Sequence, residues 1–251
     1  MTHRQATLTG ILGAGSFTLT SIVGGLLIPG YDAMEQLISE TYATGTEHGL
    51  ALRLLGIIPS GLLLALFAFA GMRLLPRNAW TLIGSNGLGT FYGLSTVVAG
   101  IFPCASGCDM ELADPGTAQV VHLVAGLLTY LFVPVSILFL GIGLRRSPHH
   151  RRLSTSGIAI GAASGLLVLF FLSGPERPGL VQRTIEALFV LWTIACAWAI
   201  KAPVPAPRPS WSGCTKSAQT FRSCTSTTAK PMSCSCTRAT QPRPRSVRNV
   251  R

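Results

Sequence analysis

Charge is what this sequence lacks. Only 12% of its 251 residues are Asp, Glu, Lys or Arg, about half the share of a soluble domain, while 48% are hydrophobic and the mean hydropathy is +0.47. An ordinary soluble domain is thereby excluded. Acidic residues are scarcest, 9 against 20 basic ones. The basic residues avoid the apolar runs and cluster between or after them, so the net charge of +11 reflects membrane topology and not nucleic-acid binding. A Ser nucleophile elbow, a phosphate-binding glycine loop and an HExxH pattern are also missing, which leaves hydrolase and nucleotide chemistry without a motif.

What is present is a series of long apolar runs. A bilayer core of about 30 Å needs roughly 17–25 apolar helical residues, because backbone groups facing lipid must be paired within the helix. Six stretches qualify: 7–28, 50–75, 79–102, 122–144, 153–172 and 184–200. Runs such as Leu62 to Phe67 are apolar on every side, whereas barrel strands alternate. The fold class expected is all-α, a six-helix membrane domain over 1–201. The first run follows Arg4 but is too long for a signal peptide and lacks a small-x-small exit, so it reads as an uncleaved helix.

Loop charges set the orientation. Arg4, Arg73, Arg77, Arg145, Arg146, Arg151, Arg152 and Lys201 all fall on one side, and eight of the nine acids fall on the other, with Asp32, Glu35, Glu40 and Glu47 in the first outer loop. Both termini are expected in the cytoplasm. The cytoplasmic arginines Arg145, Arg146, Arg151 and Arg152 are topology determinants, with anionic lipid headgroups as their candidate partners. Gly157, Gly161 and Gly165, and Gly89 and Gly93, form small-residue faces for close helix packing. Asp32 and Glu35 have capping-box spacing, and Met34, Leu37 and Ile38 then make an apolar stripe ending at Gly45, which predicts a short interfacial helix.

After Lys201 no acidic residue occurs, and Pro, Ser, Thr, Arg and Cys replace the apolar pattern. Residues 202–251 read as a disordered basic tail, with an out-of-frame extension of a GC-rich coding sequence as the alternative, given 17 Arg against 3 Lys in the chain. Cys214, Cys224, Cys234 and Cys236 lack the paired spacing of a zinc site.

Ionisable groups within the apolar runs are the candidates for chemistry, since burying them in hydrocarbon is costly. Arg53 starts the second helix, His122 opens the fourth and Glu186 lies in the first turn of the sixth, with His48 and Arg183 just outside. All project from the outer ends, so a bundle gathers them around one polar mouth. The competing reading is that they snorkel to the interface and that Arg183 pairs with Glu186. His48, His122, Cys104 and Cys108 are of metal-ligating type, but their spread over three segments specifies no site, and a haem finds only His122 on a helix. No cofactor is assigned. Cys104 and Cys108, in CASGC on the oxidising side, are candidates for a structural disulfide, with free thiols or a redox pair as alternatives.

The order of these features resembles a family. Pro29, Gly30 and Tyr31 after the first helix, Ile38, Ser39 and Glu40 in the outer segment, GIFPC at 100–104, His122 after an acidic loop and GLVQR at 179–183 are similar to multi-pass proteins grouped as domain of unknown function 998 (DUF998). The resemblance covers 7–200 and stops before the tail. It implies a six-helix membrane protein without an established activity, and directs attention to Ser39, Glu40, Phe102, Pro103, His122 and Arg183; the location expected is a bacterial plasma membrane. The leading expectation is a non-enzymatic outward pocket of Ser39, Glu40, His48, Arg53, His122, Arg183 and Glu186 that binds or transports a small solute, ion or lipid headgroup. A membrane-embedded oxidoreductase or metal-dependent enzyme is the alternative, and an assembly subunit the third.

Overall fold

A computed structural model describes residues 1–108 and 116–201. The expected tail and the second-loop acids Asp109, Glu111 and Asp114 lie outside the described residues. Those described form helices and turns, with no strand among them. Helix α1 is His3–Leu27, α2 is Gly49–Leu74, α3 runs over 79–101, α4 is Thr117–Leu144, α5 is Arg151–Leu172 and α6 is Pro178–Lys201. All but α3 are long and apolar enough to cross a membrane. The α3 run has comparable length, but Asn86, Trp80 and Tyr92 among its Gly, Ser and Thr residues lower its hydropathy.

Each helix packs on the next in sequence, and α6 returns to α1, closing a ring of six. His3 Nδ1 bonds the Ile200 carbonyl at 2.9 Å, and Thr7 donates to Ala197 O at 3.0 Å, which joins the two ends of the chain's helical part. The outward faces carry Leu19, Ile22, Leu26, Leu55, Leu66 and Leu169, all exposed, as lipid contact requires. The inward faces carry the polar residues: Ser60, Ser164, Thr129, Gln182 and Glu186 are buried. Backbones approach closely at several crossings: a Cβ on Gly93 of α3 would collide with Ala65 N of α2, and α4 and α5 meet in the same way. A Cβ on Gly141 would lie 2.8 Å from Ile158 N, and one on Gly161 would lie 2.9 Å from Leu138 N. Gly165, expected on the same face, has room, since its nearest neighbour is a Pro134 carbon at 3.8 Å.

Two expectations shift. Helices α4 and α6 start about one and two turns before the apolar runs do, because Pro178 is preset for a first helical position and polar residues such as Gln119 and Gln182 are helical although hydropathy leaves them out. His122 and Glu186 therefore stand inside their helices, in the second and third turns. The first outer loop forms no interfacial helix from Asp32. Asp32 Oδ1 instead caps Met34 N at 2.7 Å in a local turn, and a short 3-10 helix occupies Ile38–Tyr42. Glu40 closes that turn by accepting from Leu37 N at 2.6 Å. Ile38 and Tyr42 are buried, so the segment docks on the bundle.

Candidate functional site

Helix α6 presents Gln182, Ile185, Glu186, Phe189 and Thr193 on one face at i, i+3, i+4 spacing, and all are buried. Glu186 is 7% exposed and accepts hydrogen bonds from Tyr130 Oη at 3.0 Å and Tyr92 Oη at 3.2 Å. It makes no ion pair among the described residues. Tyr130 belongs to α4, whose inward stripe also carries His122, Gly126 and Thr129. Tyr92 comes from a π-helical stretch, Leu88–Leu94, in the middle of α3. Such a stretch rotates the side chains that follow relative to those before it. Here it brings both Tyr92 and Thr96 into the interior.

These groups face a cavity of about 390 Å³, whose polar lining includes Ser39, Tyr42, Thr96, His122, Gln182 and Glu186. His122 is buried, with Nδ1 at 2.9 Å from Phe102 O and 3.3 Å from Ala99 O. Carbonyls only accept, so Nδ1 carries the proton and Nε2 is left as the acceptor of a neutral ring. The Tyr42 ring stands 6.1 Å from the imidazole, and its hydroxyl has no hydrogen-bond partner among the described residues. Burial holds that phenol well above its ordinary range, and the nearby Glu186 pushes the same way. Among the described residues no Lys or Arg lines this cavity. Val124, Leu127 and Leu172, which are exposed on the outer faces of α4 and α5, complete its wall, so it reaches the lipid-facing surface between those helices.

The wall on the loop side is tied down at several points. Ile38 N donates to Gln182 Oε1 at 2.7 Å, Thr44 N donates to Cys104 O at 2.8 Å, and Leu180 N donates to Met34 O at 2.9 Å. Arg183 and Glu186 form no ion pair, although both line a cavity against α1. Arg183 donates to Gln36 O at 2.8 Å, to Gly179 O at 3.1 Å and to the Tyr31 hydroxyl, and its guanidinium lies 5.5 Å from the Tyr31 ring centre. Tyr31 in turn donates to Leu37 O at 2.8 Å. Burial raises the Tyr31 phenol, against the lowering effect of Arg183. A second cavity of about 660 Å³, against α1, is lined by Tyr31, Thr18, Ser21 and Arg183, and shares Glu186 and Phe17 with the first.

The structure thus brings Ser39, His122 and Glu186 to one cavity and Arg183 to its neighbour. Glu40 is spent on capping its own turn and on Gln36, His48 is exposed before α2, and Arg53 bonds Gly49 O at 3.3 Å; none of the three lines either cavity. The Cys104 and Cys108 sulfurs are adjacent, with Cα atoms 5.1 Å apart and left-handed backbone at Gly107 and Cys108 turning the chain back. Among the described residues no three His, Cys, Asp or Glu come together as a metal-binding group. At the opposite end, Arg145 and Arg151 share a groove with Ser154 and Thr155, Arg152 lines a depression with His149 and His150, and Arg146 lines neither. Sequence reading missed Tyr42, Tyr92, Tyr130 and Gln182. A signal existed: the chain has only four tyrosines, and all four touch this region. A tyrosine within an apolar run needs a partner for its hydroxyl.

A family model described as "Protein of unknown function (DUF998)" matches residues 11–199. No curated protein and no solved structure matches the chain. The match covers most of the sequence and every helix above, so the chain belongs to this family, and it is a multi-pass membrane protein.

Proposed function

We propose that this DUF998 protein binds, and by binding carries or senses, a small solute held over Glu186 in the extracytoplasmic half of the membrane. The observation that carries this reading is the Glu186 carboxylate: buried, held by two tyrosine hydroxyls, without an ion pair among the described residues, and facing open space. Polar groups buried without full compensation are costly in any fold. A carboxylate kept beside a cavity within the 300–1,000 Å³ range of ligand sites is best explained by what enters that cavity.

In this reading 79–101 is a sixth crossing and both termini are cytoplasmic. Arg4, Arg73, Arg77, Arg145, Arg146, Arg151 and Arg152 lie at the end opposite the Ile38–Tyr42 segment, and their charge favours the cytoplasmic side of a bacterial plasma membrane. Cys104 and Cys108 then face the oxidising side and form a structural disulfide, for which a Cα separation of 5.1 Å is suitable. The groove of Arg145, Arg151, Ser154 and Thr155 is a contact for anionic lipid headgroups at the inner surface.

The test fills the cavity. Gly126 lines it, and a Cβ there would meet nothing within 4 Å, so Gly126→Leu occupies the space without displacing the bundle. A solute panel is screened by thermal stabilisation of detergent-purified protein. Compounds that stabilise wild type and leave Gly126→Leu unmoved support the reading; equal shifts in both proteins remove it.

A further inference from the structure

We infer that the ligand of this cavity is an organic ammonium with an apolar body, entering from the outer leaflet between α4 and α5. The inference rests on the cavity reading above and names the class of its ligand.

The polar inventory of the cavity is unbalanced. Glu186 offers carboxylate oxygens and His122 offers a free Nε2, whereas the proton of Nδ1 is engaged by Phe102 O and Ala99 O. Thr96 donates to Tyr92 O at 2.6 Å and Thr129 to Ala125 O at 2.9 Å, so their hydroxyl oxygens face the space as acceptors. Tyr92 and Tyr130 spend their protons on Glu186. The Ser39 and Tyr42 hydroxyls and the amide nitrogen of Gln182, whose Oε1 accepts from Ile38 N, supply neutral donors, so what the lining lacks is a positive charge to meet the carboxylate. A ligand that complements Glu186 brings positive charge, and a protonated amine brings it on N–H donors that meet the carboxylate directly. Aromatic walls agree. Phe17, Tyr42, Tyr130 and Phe171 line the cavity, with Tyr130 and Phe171 ring centres 5.6 Å apart, and ring faces attract cations. The absence of Lys and Arg among the described lining residues disfavours carboxylates and phosphates.

The remaining wall is hydrocarbon. Val124, Leu127 and Leu172 are each about half exposed to the surroundings of the bundle and also line the cavity, so its side opening faces acyl chains. The loop side is covered by Ser39 and Tyr42, in a segment pinned to Gln182 and Cys104. A molecule with a charged head and an apolar body can reach Glu186 from the leaflet while leaving its body between α4 and α5.

The test compares three probes of one shape on the purified full chain by titration calorimetry: 2-phenylethylammonium, neutral 2-phenylethanol and anionic 3-phenylpropanoate. The ammonium is expected to bind about tenfold or more tighter than the alcohol, the difference between a charge-assisted and a neutral hydrogen bond, and the carboxylate weakest. In Glu186→Gln the preference should shrink to about twofold; if that variant does not fold, the order in wild type decides. An alcohol or carboxylate that binds as tightly as the ammonium overturns the ligand class, and the cavity reading survives if Gly126→Leu still abolishes binding. Failure of all three probes, or binding unchanged in Gly126→Leu, overturns both. Repeating the ammonium titration in nanodiscs with and without phosphatidylethanolamine separates the sources: competition by that lipid identifies a headgroup amine, and its absence a free one.

Discussion

Removing one tyrosine hydroxyl from Glu186 measures how the carboxylate is held. Tyr130 donates to Oε1 at 3.0 Å and Tyr92 to Oε2 at 3.2 Å, so each oxygen has one phenolic donor. Under conditions where Glu186 is ionised, Tyr130→Phe withdraws a donor from a buried anion, a loss of about 1.5–3 kcal/mol for a hydrogen bond to a charged group. In a Glu186→Gln background the same change removes a neutral bond, which in membrane proteins averages about 0.6 kcal/mol and reaches about 1.7 at most. The coupling between the two positions should therefore be about 1 kcal/mol or more, within the range for residues in direct contact. A double-mutant cycle on reversible unfolding in mixed micelles reads it directly, and the Tyr92→Phe cycle should give a similar value. A coupling below about 0.3 kcal/mol, the scatter of independent sites, in both cycles would refute the picture of a carboxylate fixed by two phenols.

Four further outcomes follow from the geometry. Gly161→Val drives a side chain into Leu138 N and Pro134 O and should cost about 1–3 kcal/mol or more by unfolding titration, whereas Gly165→Ala, with 3.8 Å of clearance, should be neutral within about 0.5 kcal/mol. Arg183→Lys cannot reproduce the fork that joins Gln36 O to the Tyr31 hydroxyl, so limited proteolysis between residues 31 and 37 should accelerate several-fold, and Lys should behave much like Ala. In intact cells a membrane-impermeant maleimide should label Cys104 and Cys108 only after reduction; labelling without reductant would deny the bridge, and none after reduction would deny the outward placement. Tyr42 and Tyr31 both have phenols raised in the folded protein, so stability should be level below their unfolded value near 10.0 and fall as pH rises above it. Tyr42→Phe should flatten that fall in a pH series of melting temperatures.

The spans were legible because lipid demands them: a run like 122–144 has no other stable home. Their ends were less so, since the first turns of α4 and α6 carry Gln119, Gln182 and Arg183, which hydropathy counts as loop. Glu186 was legible as a costly charge, but its partners were not, for Tyr92 and Tyr130 lie 94 and 56 positions away and meet it only when the ring closes. Depth along the membrane grouped His48 and Arg53 with His122. Facing separates them, and it depends on helix rotation and on the π-helical turn at Arg53–Ile57, which no spacing rule announces. The Ile38–Tyr42 turn was misread because Asp32 and Glu35 mimic a cap, while the carboxylate that closes the turn is Glu40.

The most direct test of a ligand over Glu186 is native mass spectrometry of the full chain released from its own membranes, wild type against Gly126→Leu. A small-molecule adduct present on wild type and lost from the filled variant is the predicted result. Identical spectra for the two proteins, bare or with the same adducts, would contradict a binding cavity at this place.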